Sequence, residues 1–243
     1  MQHNKDLRYS EAIEQVMLRN GYFAALKLIY KEIWKYKDKS KVIGKTPHMT
    51  VQERVQRDKR FTRIGLGVYA LTEYLDKLPK ITPPETESGK KEHLHAKIQG
   101  MLIEIGNNRN EVENTYTNDK KFIFDNKTLG SLTTLSKVHP FTYEHVINET
   151  VRFFDVIWFN QRGYPFKIFE VEHSTDFRNS FIKFMELQDF RTIFCCVSFE
   201  ERRDKFQREI RKTAFEPLKD RCEFVLYEQV ENDYKLALTE TYL

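Results

Sequence analysis

Apolar residues recur at helical spacing three times in the first sixty positions. Ile13, Val16 and Met17 share one face of a helix predicted from Ser10 to about Asn20, with Ser10 as its cap and Glu11 and Glu14 in its first turn. Leu26, Ile29, Tyr30 and Ile33 mark a second helix over Phe23 to Tyr36. Pro47 opens a third, to about Asp58, because proline loses no hydrogen bond at the first helical position; Val51 and Val55 face inward. The run FTRIGLGVYAL, Phe61 to Leu71, then reads as two short strands joined at Gly65-Leu66-Gly67. Residues 79–90, PKITPPETESGK, carry three prolines and no apolar period, which predicts a linker. Beyond it, Leu94, Ile98, Met101, Leu102 and Ile105 predict a helix from about Lys91 to Asn107, with Glu104 at the edge of its apolar stripe and able to point into a bordering cavity.

The remainder alternates. One or two strands fall within Glu113 to Phe124, a loop-rich stretch runs from Asp125 to Phe141, and Tyr143 to Asn148 suits a short helix. In VRFFDVIWFNQRGYPFKIFEVEHST, Val151 to Thr175, two apolar runs are joined by a turn at Gln161 to Pro165. A helix over Asp176 to Gln188, a buried strand Thr192 to Val197, a helix Glu200 to Phe215 and a strand Glu223 to Tyr227 follow. This order predicts an α/β (α+β) sandwich around a central mixed sheet. The expected domains are 1–78, a linker 79–90, and 91–243.

Charge sharpens that division. The chain has 243 residues, 40% of them hydrophobic, and a formal net charge of +4. Residues 1–80 hold 17 Lys+Arg against 9 Asp+Glu, a net +8, which leaves −4 for the rest. A basic module beside a mildly acidic one suits a nucleic-acid anchor joined to a catalytic unit, although ordinary surface variation explains an excess of this size equally well. No apolar run approaches the roughly 20 residues of a membrane span, and the start lacks the apolar core of a secretory signal, so a cytoplasmic protein is expected. Three cysteines without a C-x-x-C pair argue against a structural disulfide or zinc site. His93 and His95 lack a third clustered soft ligand in the sequence.

Acids occupy the strands of the Val151–Thr175 stretch where a plain core strand would have none. Asp155 lies in the first run, Glu170 and Glu172 in the second. Leaving water costs a carboxylate several kcal/mol unless a cation compensates. Residues two apart on a strand share a face, so Glu170 and Glu172 point the same way, and the hairpin can bring Asp155 near one end of that pair. Such a cluster suits a hard divalent cation, Mg²⁺, which could orient a water for attack on a phosphodiester.

Two resemblances follow from these residues. Gly44-Lys45-Thr46-Pro47, Thr50-Val51, Asp58 and Phe61-x-Arg63-x-Gly65-x-Gly67-x-Tyr69-Ala70-Leu71 resemble the HARE-HTH winged-helix domain, over about residues 5–75. That resemblance implies contact with nucleic acid or with the transcription machinery. Arg54, Arg57, Lys59, Arg60 and Arg63 are then candidates for phosphate contact, and Gln52 and Gln56 for base edges. The acid spacing resembles the PD-(D/E)XK nuclease superfamily, which carries an acid on one strand and acid-x-Lys on the next, between two helices. Asp155 matches the first acid, Glu170 the second, and Glu104 the acid some members carry on the preceding helix. Glu172 departs from the pattern by standing where Lys is usual, and Lys183 on the next helix could supply the positive charge. His173 and Ser174, directly after the motif, are candidates for DNA-backbone contact.

Together the resemblances imply a Mg²⁺-dependent endonuclease of the type II restriction kind. Asp155, Glu170 and Glu172 would be its metal ligands, Glu104 would assist, double-stranded DNA would be the substrate, and a homodimer on DNA is the expected state. The alternative is a DNA-binding regulator whose nuclease-like domain is inactive, with Glu172 as the symptom. Recognition sequence, cut position and any dependence on modified bases stay open.

Overall fold

A computed structural model describes residues 6–42, 45–81, 83–174 and 176–240. Gly44, Thr82 and Thr175 of the quoted stretches lie outside the described residues. The N-terminal part runs α1 (Tyr9–Arg19), β1 (Phe23–Ala25), α2 (Leu26–Glu32), a 3-10 turn over Ile33–Lys35, α3 (Pro47–Arg57), β2 (Phe61–Gly65) and β3 (Val68–Leu71). Its three strands form an antiparallel sheet in the order β1-β3-β2. Phe23 to Ala25, predicted as the start of the second helix, is instead a strand paired with β3. Gly21 and Tyr22 take φ of 88° and 75°, which turns the chain there, and all three strand residues are buried. A short buried apolar run carries no period to separate strand from helix.

The helix α4 (Glu87–Asn108) begins four residues earlier than its apolar stripe predicts, because the Thr86 hydroxyl accepts the Gly89 N–H at 3.0 Å and caps it. Then come β4 (Asn114–Tyr116), β5 (Ile123–Phe124), β6 (Lys127–Thr128), α5 (Leu129–Leu132), α6 (Glu144–Glu149), β7 (Val156–Phe159), β8 (Pro165–Val171), α7 (Phe177–Met185), β9 (Ile193–Ser198), α8 (Arg203–Ile210), β10 (Cys222–Leu226) and α9 (Tyr227–Glu240). The central sheet has the order β10-β9-β8-β7-β4. β8, β9 and β10 are parallel, whereas β7 is antiparallel to both β8 and β4. This is the α+β fold with a central mixed sheet that the alternation predicts.

Strand alternation divides the core. Val156, Trp158, Phe169, Val171, Cys195 and Val197 join Ile98, Met101, Leu102 and Ile105 of α4 and Val230 and Tyr234 of α9. Ile157, Phe159, Ile168, Phe194 and Cys196 face the other way, against Phe177, Phe181 and Phe184 of α7 and Phe206 of α8. The first cluster also takes in Leu66, Val68 and Ala70 of the N-terminal hairpin, so α4 lies between the small sheet and the large one. Among the sequence predictions α9 is absent, although Tyr227, Val230, Tyr234 and Leu238 recur at helical spacing.

Packing around α4 leaves no slack at Gly100, where an added Cβ would come within 2.3 Å of the Phe124 ring and 2.5 Å of its Cβ. Alanine favours a helix over glycine by roughly 1 kcal/mol. Overpacking of this kind costs about 1–3 kcal/mol, so Gly100→Ala is expected to lower stability in urea unfolding. A more stable variant would contradict this packing.

Candidate active site

The β7–β8 hairpin sets the acids in register. Its turn is fixed by the Asn160 side chain, whose Oδ1 accepts the N–H groups of Arg162 (3.0 Å) and Tyr164 (3.1 Å), and by Gly163 at φ 79°. Val156 then faces Phe169 and Ile157 faces Ile168. Continued by one residue, that register puts Asp155 opposite Glu170. The Val171 N–H donates to Asp155 Oδ2 at 2.6 Å, which holds this carboxylate at the end of the strand pair.

Glu170 in β8 and Glu172 just beyond its end point to the α7 side, the face they share with Ile168. Each is 5% exposed. Lys183 of α7 donates to Glu170 Oε2, and the Ser180 hydroxyl donates to Glu172 Oε1. Glu170 Oε1 and Glu172 Oε2 have no hydrogen-bond partner. Burial, reinforced by the Asp155 carboxylate and opposed by Lys183, pushes the Glu170 carboxyl well above the usual carboxylate range. Burial likewise raises Glu172, with Ser180 opposing. Two buried carboxylates, each with one unsatisfied oxygen, are what a divalent cation would compensate, so the donor set fits a hard metal.

A raised pKa fixes the sign of a pH effect. Glu172 favours folding while neutral, and that contribution is lost as pH rises through its raised folded pKa. In EDTA, Glu172→Gln should therefore stabilise the protein at pH 8, with the gain shrinking toward pH 5. Denaturant melts across this range check it; a loss of stability that grows toward pH 8 would contradict the assignment.

The same cleft, about 460 Å³, is also lined by Lys91, Glu92, His95, Asp119, His173 and Ser174. His95 Nε2 stands 3.4 Å from Asp119 Oδ2 and 3.6 Å from Asp155 Oδ2. Burial disfavours the imidazolium, but the two carboxylates outweigh it and push His95 up to about 10. His173 packs edge-on against Phe199, with ring centroids 5.0 Å apart, and Ser174 is exposed at the rim. The sequence offers no sign of Asp119, which reaches the cleft from the loop after β4.

Glu104 does not join this group, contrary to its expected place. It lies nine residues beyond His95 on α4, two and a half turns, and so leaves the helix on the opposite side. There it is fully buried, 3.3 Å from the equally buried Lys127 Nζ. Its Oε2 accepts the Leu66 N–H at 2.7 Å and the Tyr234 hydroxyl at 2.6 Å. Lys127 also donates to the Ile64 carbonyl at 2.8 Å. Glu104 therefore ties the tip of the N-terminal hairpin to α4, α9 and the β5–β6 turn.

None of the seven N-terminal candidates lines the acidic cleft. Arg54, Gln56, Arg57, Lys59 and Arg60 are exposed, and Gln52 and Arg63 half-buried. Arg57 pairs with Glu53, Arg60 with Asp58 and Glu14, and Arg63 Nε donates to the Gly65 carbonyl. Among the described residues no helix is long and apolar enough to cross a membrane.

Residues 77–242 match a family model described as the type II restriction enzyme NmeDI C-terminal domain. No curated protein and no solved structure matches the chain.

Proposed function

Since the chain belongs to the NmeDI C-terminal domain family of type II restriction enzymes, we propose that it is a Mg²⁺-dependent endodeoxyribonuclease acting on double-stranded DNA. The observation that carries this reading is the meeting of Asp155, Glu170, Glu172 and Lys183 in one cleft within the matched segment. Asp155 and Glu170 would hold the cation, with Glu172 as a third ligand or a base. Held there, Mg²⁺ would supply charge for the phosphate oxygens and would acidify a water.

The chain's own groups do the positioning. The Val171 N–H fixes one Asp155 oxygen, and Lys183 orients Glu170 so that Oε1 stays free. Lys183 also puts an ammonium in the cleft where the strand carries Glu172 in place of Lys. Glu172 Oε2 is unpartnered, and a carboxyl raised above its usual range is better matched to taking a proton from water near neutral pH. His173 and Ser174 at the rim suit backbone contact.

The N-terminal helices and hairpin, read as a winged helix, would recognise the target. Exposed Arg54, Lys59 and Gln56 on or beside α3 support this, and Gln52, Arg57, Arg60 and Arg63 lie in the same stretch. A homodimer on DNA would cut both strands. The test incubates purified protein with DNAs of differing methylation, in Mg²⁺ or in EDTA. Discrete fragments that require the metal are expected, and a gel shift without cleavage under any condition would replace the enzyme with a binding protein.

A further inference from the structure

His95 and Asp119 have no part in the nuclease reading, yet they converge on its first acid. Nε2 of His95, a carboxylate oxygen of Asp119 and one of Asp155 lie within 4.8 Å of one another, from α4, the loop after β4 and the start of β7. The 3.4 and 3.6 Å separations from Nε2 exceed the roughly 2.7–2.9 Å of a charge-assisted hydrogen bond. They are close to the edge of a coordination polyhedron, because ligands about 2.0–2.2 Å from one ion sit roughly 3.0–3.5 Å apart.

Gln99 lies against the same group. Its amide nitrogen lies 2.6 Å from His95 Nε2 and 2.7 Å from Asp119 Oδ2, while its oxygen accepts the Thr117 hydroxyl at 3.2 Å. Nε2 has a single lone pair, so a cation bound there would take the place of the Gln99 contact, and the Gln99 side chain would turn away from it. Independently, Glu170, 5% exposed, lines the same cleft with Oε1 unpartnered.

We propose that His95, Asp119 and Asp155 form a site for a transition-metal divalent cation, with Mn²⁺ preferred over Mg²⁺. Imidazole nitrogen suits such ions, whereas Mg²⁺ keeps to oxygen. The site rests on the nuclease reading in sharing Asp155, and the cleft that Glu170 lines, with the proposed Mg²⁺ centre.

The test titrates the full chain with MnCl₂ alone and records pulsed EPR for ¹⁴N coupling. Wild type should show the coupling. His95→Gln should lose it and Asp119→Asn should keep it, each with roughly tenfold or greater loss of Mn²⁺ affinity. Wild type without nitrogen coupling, or both variants binding Mn²⁺ as wild type does, would overturn the site. Should His95→Gln fail to fold, the wild-type spectrum and Asp119→Asn decide. Cleavage in Mg²⁺, measured in parallel, separates the two readings: cutting without nitrogen coupling overturns this site and keeps the nuclease, whereas nitrogen coupling without cutting supports the site and removes the nuclease.

Discussion

Asp155→Asn is expected to abolish DNA cleavage while leaving DNA affinity largely intact. The substitution keeps the shape and a carbonyl oxygen for the Val171 N–H, so the end of the β7–β8 pair should hold. It removes the charge that, with Glu170, would hold a cation. Loss of a group on which the chemistry depends lowers rates by several orders of magnitude, on the scale of about 10³ or more. On the proposed reading, DNA affinity would rest on charges elsewhere, above all in the basic N-terminal part. The check pairs a single-turnover cleavage assay with a gel shift at fixed salt. Cleavage at undiminished rate would sink the assignment of Asp155, and loss of binding with loss of folding would show a structural residue instead.

The second large effect is on stability. Lys127→Met should destabilise the protein by about 3–5 kcal/mol, because it leaves Glu104 charged, buried and without its cation. Burial already raises the Glu104 carboxyl, with Lys127 opposing. The loss should therefore shrink as pH falls, when Glu104 can take a proton. Combining Lys127→Met with Glu104→Gln should recover much of it, since apolar or neutral replacement of a whole buried pair is often close to neutral. Urea melts of both singles and the double at pH 5.5 and 8 decide this. Additive losses in the double variant would mean that the pair is not coupled.

The same ion pair shows where sequence reasoning reaches its limit. The apolar stripe of α4 is plain in Leu94, Ile98, Met101, Leu102 and Ile105, and it places the helix correctly. Whether Glu104 at its edge looks toward the acids depends on what covers each side. The N-terminal hairpin lies on one side and the Asp155 cleft borders the other. His95, half a turn out of phase with Glu104, is the residue that reaches the acids. Lys127 arrives through a two-residue turn in which Asp125 and Asn126 take φ of 47° and 61°. Nothing in the local pattern says that this turn will carry a lysine into the core.

The hairpin itself was legible because two local signals agree. The turn has its Gly and Pro, and the alternation along β8 fixes Glu170 and Glu172 on one face. That Asp155 sits opposite Glu170 also needs the register shift between Trp158 and Phe159, for which the local pattern gives no sign. Asp119 was not legible, since it is a loop acid whose partner His95 is 24 residues away and on another element. The strand β1 was hidden for a different reason: three buried residues, FAA, fit a helix start as well as a strand, and pairing with β3 decides.

On the proposed reading, the cleft at the end of the β7–β8 hairpin would hold a divalent cation between Asp155 and Glu170. Crystals of the protein soaked in MnCl₂, measured for anomalous scattering, test it directly. A peak is expected within coordination distance of carboxylate oxygens of both residues, with Glu170 Oε1 turned toward it. A structure at saturating metal with no peak in the cleft, and with the Lys183–Glu170 pair unchanged, would contradict it.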